Sequence, residues 1–127
     1  MGLSDVVEFV LNAGAEVCIH IAIIEEVWRS LMKSAHKTAF LSILLSPGIR
    51  IYTDKLPMAL KDKYAGLGLR GGDILIAAFT EFCHADILIT EDENFNVLKE
   101  AINVPFKTLS YQQLKERGDC RIMSLQR

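Results

Sequence analysis

The segment Gly72–Phe95 constrains the fold most, because it predicts a helix followed closely by a buried strand. Residues 73 to 83 carry apolar side chains near helical spacing, and two glycines before them let the chain turn sharply into a helix. Residues 86 to 90 are a short apolar run bounded by polar residues, which is typical of a buried strand in a parallel sheet. Asp73 therefore opens the predicted helix, and Asp92 follows the predicted strand.

These two aspartates have two competing interpretations. The carboxyl ends of parallel strands and the amino ends of neighbouring helices lie along one edge of an α/β sheet, so we expect Asp73 and Asp92 to converge there. Convergent carboxylates are typical of a site for a hard metal ion. Aspartate is also a favoured helix N-cap, and Thr90 with Glu93 has the spacing of a capping box. The residues alone leave both interpretations open.

The rest of the chain alternates helical and strand patterns, which favours the α/β fold class, as a three-layer α/β/α sandwich around a mainly parallel sheet. The predicted elements are a helix from Ser4 to Gly14, a strand over Glu16–Ile24, helices over 25–33, 37–45 and around Tyr64, a strand over 49–52, an edge strand over Val104–Leu109 and a short helix from Ser110 to Gly118. With 127 residues, half of them apolar, we expect one domain over residues 1–118. Residues 119–127 are expected to form a tail, loose or bound to a partner.

Composition excludes several classes of protein. A net charge of −2 gives no general basic surface for a polyanion. Cys18, Cys83 and Cys120 are widely separated and include no C-x-x-C pair, and the three histidines show no recognised ligand spacing, so neither a disulfide framework nor a zinc site is predicted. No apolar run approaches the roughly 20 residues that span a bilayer, and no signal segment is evident. We expect a cytoplasmic protein with no membrane partner.

Three motifs and their order resemble the PIN domain, a family of metal-dependent ribonucleases. The family carries a glutamate after a strand, an aspartate in D-x-x-I-x-A and another in T-x-D-x-x-F. This chain has IIEEVWRSL at 23–31, DILIAAF at 73–79 and TEDENF at 90–95, followed by the similar ending VPFKTLSYQQL. The resemblance spans nearly the whole chain.

The resemblance implies a set of site residues and partners. Glu26 matches the family's glutamate, with Glu25 as the alternative, and Asp73 and Asp92 match its two later aspartates. Asn94 is implied as a further metal ligand. The implied activity is hydrolysis of RNA phosphodiester bonds with Mg²⁺ or Mn²⁺, and some members of the family pair with an antitoxin. Separately, the apolar half of so short a chain and Trp28 on an early helix suit the buried face of a homo-oligomer. Without the resemblance, Glu25 and Glu26 are more simply the solvated first turn of a helix.

One feature of the family has no match. The family begins with a strand that ends in an aspartate and lies in the middle of the sheet, whereas only four residues precede Asp5 and this aspartate fits a helix cap. Either an upstream segment is lacking or the chain is a degenerate member of the family. In both cases we expect weak or absent nuclease activity, with a non-catalytic interaction or oligomerisation module as the alternative. A response-regulator-like domain is disfavoured, because such folds place paired acids after the first strand.

A sheet without its central strand would leave unpaired backbone and exposed apolar faces on both neighbouring strands. That loss exceeds the roughly 5 to 15 kcal/mol by which a domain is stable. We therefore expect a swapped element, a partner chain or a rearranged sheet to fill the middle.

Overall fold

The computed structural model describes residues 3–117 and 122–125, and over these residues the chain alternates helices with strands. The elements in chain order are α1 (Leu3–Asn12), β1 (Glu16–His20), α2 (Ile21–Ser30), α3 (Ser34–Leu44), β2 (Ile49–Tyr52), α4 (Met58–Gly66), α5 (Gly72–Phe82), β3 (Ile87–Ile89), a 3₁₀ helix (Glu93–Lys99), β4 (Lys107–Leu109), α6 (Tyr111–Arg117) and β5 (Ile122–Leu125). The predicted α/β class is confirmed.

The strands form one sheet in the order β2-β1-β5-β3-β4, and each described pair is parallel. Parallel strands need crossover connections, and the intervening helices supply them. The strand predicted over Val104–Leu109 is confirmed as an edge strand, although only Lys107–Leu109 is extended. The predicted strand over Ile49–Tyr52 forms the opposite edge.

The middle of the sheet is filled by β5, which comes from the carboxyl-terminal end of the chain. Cys18 of β1 and Leu88 of β3 are both paired with Ser124, so β5 has a strand on each side. We expected residues 119–127 to form a tail, but Ile122–Leu125 instead lies inside the domain, and the other residues of that range lie outside the described residues. The physical reason is the gap: two buried strands without hydrogen-bonding partners strongly favour any short segment that can pair with both.

The boundary between β1 and α2 also differs from the sequence prediction. The apolar run over Glu16–Ile24 was expected to be one strand, but the strand ends at His20 and helix α2 begins at Ile21. The His20 side chain caps the new helix: Nδ1 accepts a hydrogen bond from the Ala22 backbone N–H at 3.1 Å. That bond satisfies one of the free N–H groups at the helix start and so favours an early helix.

Helix α5 is buried over five consecutive residues, because it packs against both the sheet and α4. Its buried residues are Ile76, Ala77, Ala78, Phe79 and Thr80. The Phe79 ring packs edge-on against His20, with centroids 5.3 Å apart, and against Tyr52 at 5.4 Å. Such aromatic contacts add to the stabilisation from burial. These contacts fix the later part of α5 against the carboxyl ends of β1 and β2.

Candidate metal-binding edge of the sheet

Three acidic side chains lie where parallel strands end. Glu26 is in the helix that follows β1, Asp73 is in the first turn of α5, and Asp92 lies between β3 and the 3₁₀ helix. The three residues come from three separate crossovers. They are brought together at one edge because all the described strands run in the same direction.

Asp73 stands at a helix start without acting as its cap. The N-cap residue of α5 is Gly71, with φ 52° and ψ −129°, and no side chain caps the helix. This backbone conformation is open to glycine and strained for other residues. The cap interpretation therefore does not account for the Asp73 carboxylate, which is only partly buried.

Asp92 does act as a cap. Its Oδ1 accepts a hydrogen bond of 2.9 Å from the Asn94 N–H, and its own N–H donates to Thr90 Oγ1 at 3.1 Å. The expected capping box between Thr90 and Glu93 is not the arrangement found, because the N-cap is Asp92 itself. A capping carboxylate uses one oxygen for the helix, and its geometry here is fixed by this bond.

Glu26 faces the start of α5. A Cβ atom placed on Gly72 would lie 3.8 Å from Glu26 Oε2, so this carboxylate reaches the first turn of the helix that carries Asp73. The glutamate also acts electrostatically on Asp73. Of the two glutamates that the sequence left open, Glu26 is the one that the geometry places beside Asp73.

Asn94 links the two aspartates. Its Nδ2 donates to Asp73 Oδ2 across 3.5 Å, while its backbone N–H donates to Asp92. A bond of that length is weak. Asn94 therefore orients the carboxylate of Asp73 loosely and stands within reach of the same edge.

The neighbouring acids change the pKa of Asp73. Burial raises the pKa of its carboxyl group above the ordinary value of 3.8, and the negative charges of Asp92 and Glu26 raise that pKa further. The Asn94 hydrogen bond acts in the opposite direction. Opposed carboxylates of this kind gain from a bound cation, which would neutralise their mutual repulsion.

The donor chemistry fits a hard divalent cation, since carboxylate and amide oxygens are the ligands that Mg²⁺ and Mn²⁺ prefer. Over residues 3–117 and 122–125, however, no three His, Cys, Asp or Glu side chains form a ready ligand set for a metal ion. The carboxylates share an edge of the sheet without being gathered into a coordination sphere.

No sequence pattern indicates the role of His20, whose side chain helps to position this edge. Its side chain caps α2, which carries Glu26, and its Nε2 lies 2.7 Å from the Asp54 carbonyl oxygen. Because Nδ1 accepts the Ala22 N–H, the ring proton is on Nε2 and is donated to Asp54. Histidine is not a typical N-cap residue, so a sequence pattern would not reveal it.

A second polar cluster lies at the opposite, amino end of β3. Glu81 Oε1 accepts hydrogen bonds from Tyr64 Oη at 2.7 Å and from Lys63 Nζ at 2.6 Å. Burial raises the pKa of the Tyr64 phenol, which stays a donor at neutral pH. This cluster satisfies the charge of Glu81 and ties α4 to α5, a structural role.

Comparisons with family models, with curated proteins and with solved structures found no match to the chain. In the part of the chain that the structure describes, each helix is too short or too polar to cross a membrane.

Proposed function

We propose that the chain is a PIN-like metal-dependent ribonuclease of weak activity, with Glu26, Asp73 and Asp92 as its acidic site residues and Asn94 beside them. The observation that carries the proposal is the convergence of these carboxylates, from three separate crossovers, at the carboxyl edge of a parallel sheet. Two observations support the proximity of the three acids: the Glu26 carboxylate lies close to Gly72, and the charges of Asp92 and Glu26 raise the pKa of Asp73.

The proposed fold is a three-layer α/β/α sandwich of PIN type in which β5 takes the central place. The resemblance requires a strand in the middle of the sheet, and the chain supplies one from its carboxyl-terminal end instead of its beginning. Because β5 is parallel to both neighbours, its carboxyl end points to the edge that holds the acidic residues. A PIN-like arrangement of the three acids is thus compatible with a central strand supplied by β5.

The proposed chemistry is hydrolysis of an RNA phosphodiester bond. Mg²⁺ or Mn²⁺, when bound, would lower the pKa of a water molecule and offset the charge of the phosphate. Glu26, Asp73 and Asp92 would hold the ion, and Asn94 would orient Asp73 through its 3.5 Å hydrogen bond. Since the acids are not gathered into a ligand set, binding would have to draw their side chains together.

Weak activity follows from the number of acids. The resemblance implies a fourth carboxylate at the end of the central strand, and the residues of β5, Ile122–Leu125, include no acid. With three carboxylates we expect a lower affinity for the metal ion and a less exact position for it.

The test is cleavage of an end-labelled RNA of mixed sequence in Mn²⁺. Asp73→Asn removes a site charge with little change of shape, and Asp62→Asn, at an exposed position on α4, is the matched control. We expect slow cleavage by the wild type and by the control, lost in Asp73→Asn and in EDTA. Cleavage that survives both Asp73→Asn and EDTA would overturn the proposal.

A non-catalytic interaction module is the second candidate. The observation that favours it is the exposure of four large apolar side chains: Trp28 on α2, Met32 in the connection to α3, Leu41 on α3 and Leu45 at its carboxyl end. An absence of RNA cleavage in every metal ion tested would favour this candidate. RNA and an antitoxin-type partner rest on the resemblance, a cytoplasmic location rests on the composition of the chain, and all three remain proposals.

A further inference from the structure

Two buried cysteines lie on neighbouring elements of the fold. Cys18 is in β1 and is fully buried, and Cys83 is the C-cap residue of α5 and is 7% exposed. Both are free thiols, and the proposed ribonuclease chemistry uses neither of them. They are 65 positions apart in the sequence, so no spacing pattern relates them.

The packing of α5 on β1 brings the two thiols together. Phe79 packs against His20, with ring centroids 5.3 Å apart. Cys18 lies two residues before His20 and on the same face of the sheet, about 6.6 Å back along the strand. Cys83 lies one turn after Phe79, about 6 Å along a helix that runs opposite to the strands because it leads into the parallel strand β3. The two steps have the same direction and nearly the same length, so Cys83 is placed over Cys18.

The backbone at the end of α5 holds Cys83 in this position. The Ala85 N–H donates to the Thr80 carbonyl oxygen at 3.2 Å, and the His84 N–H donates to the Glu81 carbonyl oxygen at 3.0 Å. These are the two hydrogen bonds of a Schellman motif, and His84 has the left-handed conformation that the motif requires, with φ 57°. The Cys83 thiol lies 3.6 Å from the Thr80 carbonyl oxygen, to which it donates. The Cys83 side chain is therefore held in place.

The two sulfurs differ in acidity. A hydrogen bond from the Cys83 side chain lowers the pKa of Cys18, and this effect is larger than the opposite effect of burial. The same hydrogen bond raises the pKa of Cys83, and burial raises it further. Cys18 is therefore the thiol that ionises first, while Cys83 retains its proton. Since the thiolate is the nucleophile, reaction with an oxidant begins at Cys18.

We propose that Cys18 and Cys83 form an oxidisable dithiol, which a peroxide converts into a disulfide that ties β1 to α5. The Cys18 sulfur attacks one peroxide oxygen: an S–O bond forms, the O–O bond breaks, and the leaving hydroxide takes the Cys18 proton to become water. The Cys83 sulfur then attacks the Cys18 sulfur: the S–S bond forms, the S–O bond breaks, and the leaving hydroxide takes the Cys83 proton. Two thiols and one peroxide thus give one disulfide and two water molecules.

The carboxyl end of α5 is the route by which a peroxide reaches the pair. Phe82 and His84, on either side of Cys83, line a surface cavity of about 520 Å³. Cys83 itself keeps a small exposed area, whereas Cys18 lies behind it. Hydrogen peroxide is little larger than water, so a small opening at this helix end admits it. The proposal does not depend on ribonuclease activity.

The test is treatment of the folded wild-type protein with hydrogen peroxide, followed by alkylation of the remaining thiols, trypsin digestion and mass spectrometry. Trypsin places the three cysteines on different peptides, because basic residues lie between them. We expect a linked pair of peptides that contains Cys18 and Cys83, about 2 Da lighter than the two free peptides, with Cys120 outside the link. In urea the same treatment should favour a link between Cys83 and Cys120, because 37 positions close a smaller loop than 65.

Two variants in a Cys120→Ser background separate the roles of the sulfurs. Cys83→Ser keeps a donor beside Cys18 and removes the second sulfur, so peroxide should add about 16 or 32 Da to Cys18. Cys18→Ser leaves Cys83 with its proton, so its oxidation should be at least about tenfold slower. In the background protein, oxidation should raise the thermal midpoint by at least about 5 °C, and dithiothreitol should reverse the rise. Circular dichroism checks that each reduced variant is folded.

Three results would overturn the proposal. The first is native oxidation that leaves Cys18 and Cys83 unlinked, or that links them in urea alone. The second is a linked protein with a lower thermal midpoint, since the native fold would then have to be distorted to form the bond. The third is oxidation of Cys18→Ser as fast as that of the background protein, which would place the first attack at Cys83.

Discussion

Asn94 and Asp73 are joined across two elements of the fold, with Asn94 Nδ2 donating to Asp73 Oδ2 over 3.5 Å. Among the residues that the structure describes, this long bond is the one hydrogen bond to a carboxylate whose neighbours include the negative charges of Asp92 and Glu26. A single weak donor against two negative charges leaves Asp73 destabilised in its ionised form. The site thus stores repulsion that either a proton or a cation would relieve.

Asp73→Asn should stabilise the fold at neutral pH. The pKa of Asp73 is raised by burial and by two carboxylates, so the folded protein binds its proton more tightly than the unfolded chain does. The destabilisation of the fold by the ionised Asp73 carboxylate is therefore absent at low pH. It grows as the pH rises from the ordinary pKa of 3.8 through the folded-state pKa, and it is constant above that pKa. We expect a gain of about 0.5 to 1 kcal/mol at pH 7, since the group is only partly buried.

Urea denaturation of Asp73→Asn at pH 7 and at pH 3 measures this difference. The gain should disappear at pH 3, and Asp62→Asn should change stability by no more than a few tenths of a kcal/mol at either pH. A loss of stability in Asp73→Asn at pH 7 would contradict the prediction, because it would show that the ionised carboxylate stabilises the fold despite the nearby charges of Asp92 and Glu26.

Mn²⁺ should raise the thermal midpoint of the wild-type protein. A ligand at ten times its dissociation constant stabilises the fold by about 1.4 kcal/mol, which corresponds to a rise of a few degrees for a domain of this size. Asp73→Asn and Asp92→Asn should each reduce that rise. Asn at position 92 can still accept the Asn94 N–H as an N-cap, so this variant tests the charge and preserves the helix start.

The same experiment distinguishes a site effect from a general effect of salt. Mn²⁺-free buffer of matched ionic strength is the blank, and Asp62→Asn is the matched variant. Equal rises in the wild type and in both site variants would refute metal binding at this edge.

The sequence-based predictions were most accurate for elements that a local pattern determines. Strand β2 was predicted with its observed bounds, and α5 with bounds close to those found, because an apolar run and a helical spacing are visible within a short window. The convergence of Asp73 and Asp92 followed from the direction of parallel strands. Their role in metal binding stays a prediction.

Two features depended on interactions that a local pattern does not contain. The apolar residues Ile21–Ile24 are compatible both with a strand and with a buried helix start. The His20 side chain, which caps α2, favours the helix. The place of β5 is decided by pairing with β1 and β3, which lie far away in the sequence. Four residues of mixed character give no sign of a central position.

His20→Ala should destabilise the fold by about 2 to 4 kcal/mol. The substitution removes the cap of α2, leaves the Asp54 carbonyl oxygen without its donor and opens a space beside Phe79. His20→Asn keeps an acceptor at the N-cap and should recover about 1 kcal/mol of that loss. Equal stability of the two variants in urea would mean that the cap contributes little.

Met123→Pro tests whether β5 is a necessary part of the sheet. Met123 is paired with Val17 on one side and with Ile87 on the other, so a proline there removes a backbone donor from the middle of the sheet. We expect a loss of at least about 3 kcal/mol, a large part of the stability of a small domain. Met123→Val keeps the donor and favours an extended chain, so it is the matched control. Amide hydrogen exchange at Cys18 and Leu88 should accelerate in the proline variant alone, because both residues lie in strands that would lose a neighbour. Unchanged exchange and unchanged stability would mean that the sheet is stable without its central strand.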